Sequence, residues 1–442
     1  MSSRRRPRSP PPVPPLEDDN LLSEILLRPP PDPSSLPRAS LVAKRWLGLV
    51  SDPSFSRRFR LHHRRNPPLL GFFEGSHFEP TMDPPNRVPE GHFSYEHTDD
   101  DGYGCFRPLG WRHGLQLIFH ESESEKLVLV RDPFNGDKHR LPVPPGLDGE
   151  ETPTSGAVFR AAGDIQHFHV VLVDTETNQH HTRAIARVYS SETGIWGNLM
   201  ATPLPPMPSS SMDEHPTMIG IWFTIGVLVG HSIYWLLTDT SAETSMLDGI
   251  LEFDLETQIL AVIPVPTDIA NNCISRFQVM RAEGGGLGIL FLSNFSAQLW
   301  KMETDSNGVA SWVLGRTIEL DKLLPMNPKK KKRGPPLMIR GFAEYNNVLF
   351  IRTPAGFFTL QLESLEFKEL FKSDIYYPFE SVYAAGNGPS IGGGHDGAEL
   401  LHNTYYEEVQ RWLVGGIGSS VPFDRDAEMA CWVSFWCASH GN

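Results

Sequence analysis

The sequence predicts a multidomain α + β chain, with a small N-terminal helical module followed by a much larger all-β body. Three observations carry this. Residues 1–65 hold a net charge of +7 and residues 66–442 a net charge of −21, with the change falling at Asn66-Pro67-Pro68. Apolar residues recur at helical spacing only before that point. Beyond it, short apolar runs are punctuated by Gly, Asn, Asp and Ser turn signals.

Composition narrows the function classes. Hydrophobic residues make up 40% of the 442, including 25 Phe and 10 Trp, enough for a sizeable core. The four Cys form no C-x-x-C pair, which argues against a disulfide scaffold or a structural zinc site and favours a reducing compartment, nucleus and/or cytoplasm. The acidic body argues against nucleic acid as a partner, because phosphate contacts need Lys and Arg. Residues 219–237 lack Asp, Glu, Lys and Arg, yet Gly230-His231-Ser232 reads as a turn between two buried strands, Thr224–Val229 and Ile233–Leu237; no membrane partner is expected.

Residues 1–14 read as a disordered Arg/Pro-rich tail, and 15–65 as the helical module. The first helix spans Leu16 to Arg28, with Leu21, Leu22, Ile25 and Leu26 as its apolar stripe. Glu17, Asp18 and Asp19 suit the positive end of its dipole, and Pro29-Pro30-Pro31 stops it. A second helix runs from about Ser34, capped by Ser34 or Ser35, with Leu41, Val42 and Trp46 on its apolar face. Leu49, Val50, Phe55 and Phe59 follow, giving three short helices in all. With Leu16 and Leu36 added, these apolar residues exceed what so small a core can hide, which suggests a protein interface.

The ordered set over Pro15 to Phe59 resembles an F-box: an opening Leu16, the L-L-x-E-I-L helix, the Pro-rich break and the L-V-x-K-R-W ending. The chain departs from the family pattern at Pro29, where a Leu is usual, at Ala43, often Cys, and at Leu47, often polar. The resemblance implies docking to a Skp-type adaptor and, through it, to cullin. The residues it assigns to that contact are Leu16, Leu21, Leu22, Ile25, Leu26, Leu36, Leu41, Val42 and Trp46.

Residues 66–404 form the β body. Paired β-type runs lead repeatedly into a turn: Leu115–Phe119 and Leu127–Val130 into Asp132-Pro133-Phe134-Asn135-Gly136, Phe168–Val173 and Ala184–Tyr189 into Ser190-Ser191-Glu192-Thr193-Gly194, and likewise on to Leu365. The equivalent positions Gly136, Gly194, Gln258, Gly308 and Leu365 are 58, 64, 50 and 57 residues apart. A period near 50 with paired strands predicts propeller blades, since a lone four-stranded sheet cannot bury both faces. Five partial blades are visible, and a sixth is expected from residues 66–110 or from Tyr376–Ala385. The phrases Asp-Pro-Phe-Asn-Gly … Leu-Pro-Val-Pro-Pro and Val-Tyr-Ser-Ser-Glu-Thr-Gly-Ile-Trp resemble the F-box-associated, kelch-like β-propeller domains of plant F-box proteins. Residues 405–442 do not repeat the pattern and are read as an extension of open structure.

Catalytic signals are weak. Gly284-Gly285-Gly286-Leu287-Gly288 and Gly392-Gly393-Gly394 lack the phosphate-loop pattern and read as hairpin loops. His167 and His169 alternate along an expected strand without further metal ligands nearby; His180-His181 lies in a polar turn. No cofactor is expected. Lys329-Lys330-Lys331-Lys332-Arg333, in a Pro-flanked loop, resembles a nuclear import signal as well as a solvated loop. The resemblances together imply a non-catalytic substrate receptor of a Skp–cullin–F-box ubiquitin ligase, binding an unknown protein target through the propeller. Two alternatives stay open: a propeller-type ligand-binding protein or enzyme, and an F-box-derived regulator outside any ligase.

Overall fold

The computed structural model describes residues 18–89, 92–94, 105–121, 125–134, 136–147, 155–161, 163–164, 166–178, 181–205, 219–220, 225–239, 246–270, 272–324, 337–370 and 376–383. Leu16, Arg4-Arg5-Arg6, His180, Lys329 to Arg333, Gly392 to Gly394 and the stretch 405–442 lie outside them. The described residues fall into two compact units, one of 18–65, 83–87 and 382–383, the other of 66–82 and 88–381.

The first unit holds four helices, α1 (Asp19–Leu26), α2 (Ser35–Ser40), α3 (Lys44–Val50) and α4 (Pro53–His63). The expected count of three is corrected because the second apolar stretch is not continuous: Ala43 is extended (φ −158, ψ 151) and separates α2 from α3. Asp18 caps α1, its Oδ1 accepting from Asn20 N at 2.8 Å and Leu21 N at 3.3 Å. Asp52 caps α4 in the same way, and Pro53 sits at its first turn, where a missing N–H costs nothing. α1 ends at Leu26, so Pro29 lies beyond the helix and interrupts none of its hydrogen bonds. Leu22, Leu26, Leu36, Ala39, Val42, Trp46, Val50, Phe55 and Phe59 form one core.

The second unit is a six-bladed β-propeller. Its first sheet joins β1 (Leu69–Glu74) and β2 (His77–Pro80) to the last strand, β25 (Tyr377–Glu380). The next contains β3 (Cys105–Arg112), β4 (Leu115–Glu121), β5 (Lys126–Arg131) and β6 (Lys138–Pro142). The third holds β7 (Ser155–Phe159), β8 (His169–Asn178), β9 (His181–Ser190), β10 (Ile195–Trp196) and β11 (Met200–Pro203). The fourth holds β12 (Ile219–Gly220), β13 (Val227–Val229), β14 (Ser232–Asp239), β15 (Leu247–Asp254) and β16 (Leu260–Ile263). The fifth is β17 (Phe277–Arg281), β18 (Leu287–Ser293), β19 (Ser296–Thr304) and β20 (Ala310–Glu319). The sixth is β21 (Met338–Ala343), β22 (Val348–Arg352), β23 (Phe357–Gln361) and β24 (Phe367–Leu370), preceded by a short helix α5 (Leu320–Leu323). Both segments expected as sources of a sixth blade contribute to one sheet, in which β1 pairs antiparallel with β25, Phe72 opposite Pro378 and Phe73 opposite Tyr377. The ring is thus closed by strands from the two ends of the propeller.

Period-two alternation sorts each central strand into two layers. Ile233, Trp235 and Leu237 of β14 pack with Val171 and Val173 of β8, whereas Tyr234 and Leu236 pack with Phe277, Ile289 and Phe291 of the following blade. Val170 and Leu172 face back to Leu117, Phe119 and Val130, and Leu290 and Leu292 forward to Leu349 and Ile351. Burial on both faces explains why β18 reads as an unbroken apolar run at Ile289 to Leu292 rather than an alternating one, and why Gln116 within β4 is buried as fully as its apolar neighbours. The described part of the run at 219–237 belongs to this pattern: β13 and β14 are joined at Gly230, which has φ 64, while residues 221–224, with Thr224 of the expected first strand, lie outside the described residues. No helix among the described residues is long and apolar enough to cross a membrane.

The recurring turn joins the third and fourth strands in five of the six blades, all but the three-stranded closing one. Gly136, Gly194, Gln258, Gly308 and Leu365 all have positive φ, between 55 and 80 degrees. In four of them the residue four places earlier accepts from the turn N–H, as Asp254 O does from Gln258 N at 2.9 Å. Asp132, Asp254, Asp305 and Gln361 also accept turn N–H groups through their side chains, which pins the loop. An L-residue pays roughly 1–2 kcal/mol for that conformation, and glycine's greater unfolded freedom offsets part of it. Gln258→Gly is therefore expected to raise stability by up to about 1 kcal/mol, and Gly308→Ala to lower it by about 1 kcal/mol, read as shifts of the urea midpoint. The Gly284–Gly286 stretch is the hairpin between β17 and β18, with all three glycines at positive φ.

Candidate binding site at the propeller centre

The innermost strands carry what the turn pattern could not show. Trp111 and Arg112 end β3, Gly226 precedes β13, Gln278 lies on β17, Arg340 on β21, and Glu344 just follows it. With Tyr376, Tyr377, Pro378 and Glu380 of β25 and its approach, they line a cavity of about 280 Å³. That is near the lower edge of the roughly 300–1,000 Å³ usual for small-ligand sites.

Arg112 is the electrostatic anchor. Its side chain is 3% exposed and that of Glu344 12%. Arg112 Nε donates to Glu344 Oε1 at 2.6 Å and Nη2 to Oε2 at 2.8 Å, a bidentate pair joining the second blade to the sixth. Nη2 also donates to Gly226 O at 2.7 Å, and Leu228 N donates to Glu344 Oε2 at 3.1 Å, so the fourth blade is tied in as well. Burial opposes the charge on Arg112, but the Glu344 carboxylate outweighs it and holds the guanidinium above its usual pKa. Glycine is required at Gly226, since a Cβ there would lie 2.7 Å from the Trp235 ring, and at Gly341, 2.4 Å from Tyr376 O.

Glu380 is the second enclosed carboxylate. Its Oε1 accepts from Tyr345 N at 3.0 Å, Asn346 N at 2.8 Å and Asn346 Nδ2 at 2.7 Å. Burial pushes its pKa up to about 7, with Glu344 adding to the rise and the Asn346 and Tyr345 donors acting against it. Relative to an ordinary value of 4.5, the folded chain holds this proton more tightly than the unfolded one. Stability from this group is full below about pH 4.5 and is lost as pH rises toward 7, by up to about 3 kcal/mol. Glu380→Gln keeps an acceptor for the three donors and removes the charge. Urea titrations at pH 5 and pH 8 are expected to show the variant gaining on the natural chain by that order at the higher pH; an equal difference at both would contradict it.

The sequence-assigned docking residues fall in the helical unit. Leu22, Leu26, Leu36, Val42 and Trp46 are buried in its core, Ile25 and Leu41 are half-buried, and Leu21 is 48% exposed. Leu16 and the basic run Lys329 to Arg333 lie outside the described residues. His167 is not on a strand face with His169, a correction: it sits in the loop before β8, its Nδ1 2.9 Å from Asp164 Oδ2. The His167 backbone N–H is the main group holding the Asp164 carboxyl down at about 2. Among the described residues no group of three or more His, Cys, Asp or Glu side chains is placed to hold a metal ion. Sequence reasoning missed Arg112, Arg340, Glu344 and Glu380. Arg112 and Glu344 are 232 positions apart, and the one local signal is a charged residue at the end of an inner apolar strand.

No curated protein matches the chain. A family model described as "F-box protein AT5G49610-like, beta-propeller" matches residues 109–376, more than half of the chain and the greater part of the ring just described. That description says nothing of kelch repeats. The chain belongs to the F-box protein AT5G49610-like β-propeller family.

Proposed function

We propose that this protein is the substrate-recognition subunit of a Skp–cullin–F-box ubiquitin ligase, with a helical unit that docks the Skp-type adaptor and a propeller that presents a protein target. The observation that supports this most is membership of a propeller family described by F-box proteins, in a chain whose preceding residues 15–65 carry the F-box-like order of Leu, Pro and Trp. The receptor is non-catalytic: it raises the target's effective concentration beside the ubiquitin-conjugating enzyme. In this reading, Leu22, Leu26, Leu36, Val42 and Trp46 shape the docking unit from within, and Leu21, Ile25 and Leu41 keep surface for the adaptor. The basic run Lys329 to Arg333 is assigned to nuclear import, with action in nucleus and/or cytoplasm.

Co-purification of the tagged full chain tests this. The natural chain is expected to bring down the Skp-type adaptor and cullin, and Leu21→Arg to weaken recovery at least about ten-fold, as loss of a central apolar anchor does. Leu22→Ala and Trp46→Ala are unsuitable probes, since both empty the core of the unit. Adaptor absent from every preparation of a folded chain would reject the reading and leave a regulator outside the ligase.

A further inference from the structure

The charged groups around the propeller's central cavity, Arg112, Arg340, Glu344 and Glu380, are equal in number but not all paired. Arg112 and Glu344 neutralise each other in a bidentate pair. Glu380 is satisfied by three N–H donors, and its raised pKa leaves it partly protonated near neutral pH. Arg340, on β21, also lines the cavity. No carboxylate among the described residues lies within ion-pair distance of it, and the one hydrogen bond its guanidinium makes is a weak one, Nη2 to Met338 Sδ at 3.7 Å. Its Nε–H is enclosed and has no protein acceptor. Arg340 is half-buried, and the cost falls on that enclosed Nε–H, because an unmade hydrogen bond on a charged group forfeits more than on a neutral one.

The rest of the wall is of another character. Trp111, Phe277, Ile339, Phe342, Tyr377 and Pro378 present aromatic and aliphatic surface. Trp111 is held between the rings of Phe73, at 5.7 Å, and Tyr377, at 4.6 Å, so that side of the cavity is rigid. An apolar enclosure with a single unmatched planar cation is suited to a ligand with a flat apolar body and one planar anionic end.

We propose that the central cavity of the propeller binds a small aromatic carboxylate, with Arg340 as the clamp for the carboxylate and the aromatic wall as the seat for the ring. Binding is non-covalent and independent of adaptor docking. The probe is naphthalene-2-carboxylate, compared with naphthalene-2-carboxamide, which has the same shape without the charge. Both are titrated calorimetrically into the full chain and into Arg340→Gln and Arg340→Lys. The expected result is saturable binding of the carboxylate, at least ten-fold weaker binding of the amide, a loss of at least ten-fold in Arg340→Gln, and partial retention in Arg340→Lys. A thermal unfolding scan of each variant shows that it is folded, and the acid–amide comparison on the natural chain needs no variant. Equal affinity for acid and amide, or an Arg340→Gln chain that binds the acid as well as the natural one, overturns the proposal. So does a folded natural chain that takes up no carboxylate at millimolar concentration.

Discussion

Arg112→Met is expected to cost the propeller about 3–5 kcal/mol, because it strands a carboxylate in an enclosed site. Glu344 would keep one donor, Leu228 N, in place of that donor and the bidentate guanidinium, and the carbonyl of Gly226 would lose the 2.7 Å bond from Arg112. The cost arises from the uncompensated charge rather than from a large net worth of the pair. Arg112→Met combined with Glu344→Gln should therefore recover most of it, since the amide oxygen still accepts from Leu228 N and neither charge of the pair is left without its partner. Urea unfolding of the three chains measures this. A single variant within about 1 kcal/mol of the natural chain, or a double variant no better than the single, would show that the pair does not organise the inner strands.

Phe379→Ala should be similarly damaging, at about 3–5 kcal/mol. Phe379 is 1% exposed, and its ring lies 5.4 Å from Phe73, 5.1 Å from Phe93 and 5.9 Å from Phe134. The cluster fills the space between the closing blade and the blade of β3 to β6, whereas the layer between the fifth and sixth blades is aliphatic-rich. Phe379 also sits on β25, the strand that ties the far end of the ring to β1. Truncation opens a cavity at the closure, so unfolding is expected to speed up as well as become easier. Denaturant-jump kinetics check this; an unchanged unfolding rate with a stability loss below about 1 kcal/mol would mean that closure depends on backbone pairing alone.

The blade period was legible because its turns obey a backbone rule. Gly136, Gly194 and Gly308 mark a left-handed position openly, and Gln258 and Leu365 occupy it without being glycine, found only by their phase within the repeat. The central strands were legible too, since burial on both faces writes unbroken apolar runs such as Ile289 to Leu292. The inner strands were not. β13 is three residues long and β3 contains Pro108 and Gly110, so neither carries a strand-like period. Closure and the central site depend on pairings such as Phe72 with Pro378 and Arg112 with Glu344, which no local pattern encodes. In the helical unit the apolar stripe was visible, but its division was not. Leu22 and Leu21 are neighbours in sequence, one wholly buried and the other half exposed, and only the packing of four helices separates core from surface.

The receptor reading stands on the helical unit engaging an adaptor, and direct titration of purified Skp-type adaptor into the purified full chain tests it. The expected result is one-to-one binding with a Kd at or below about 1 μM, equivalent to roughly −8 kcal/mol, weakened at least about ten-fold by Leu21→Arg. A folded chain that shows no binding at tens of micromolar adaptor would contradict it.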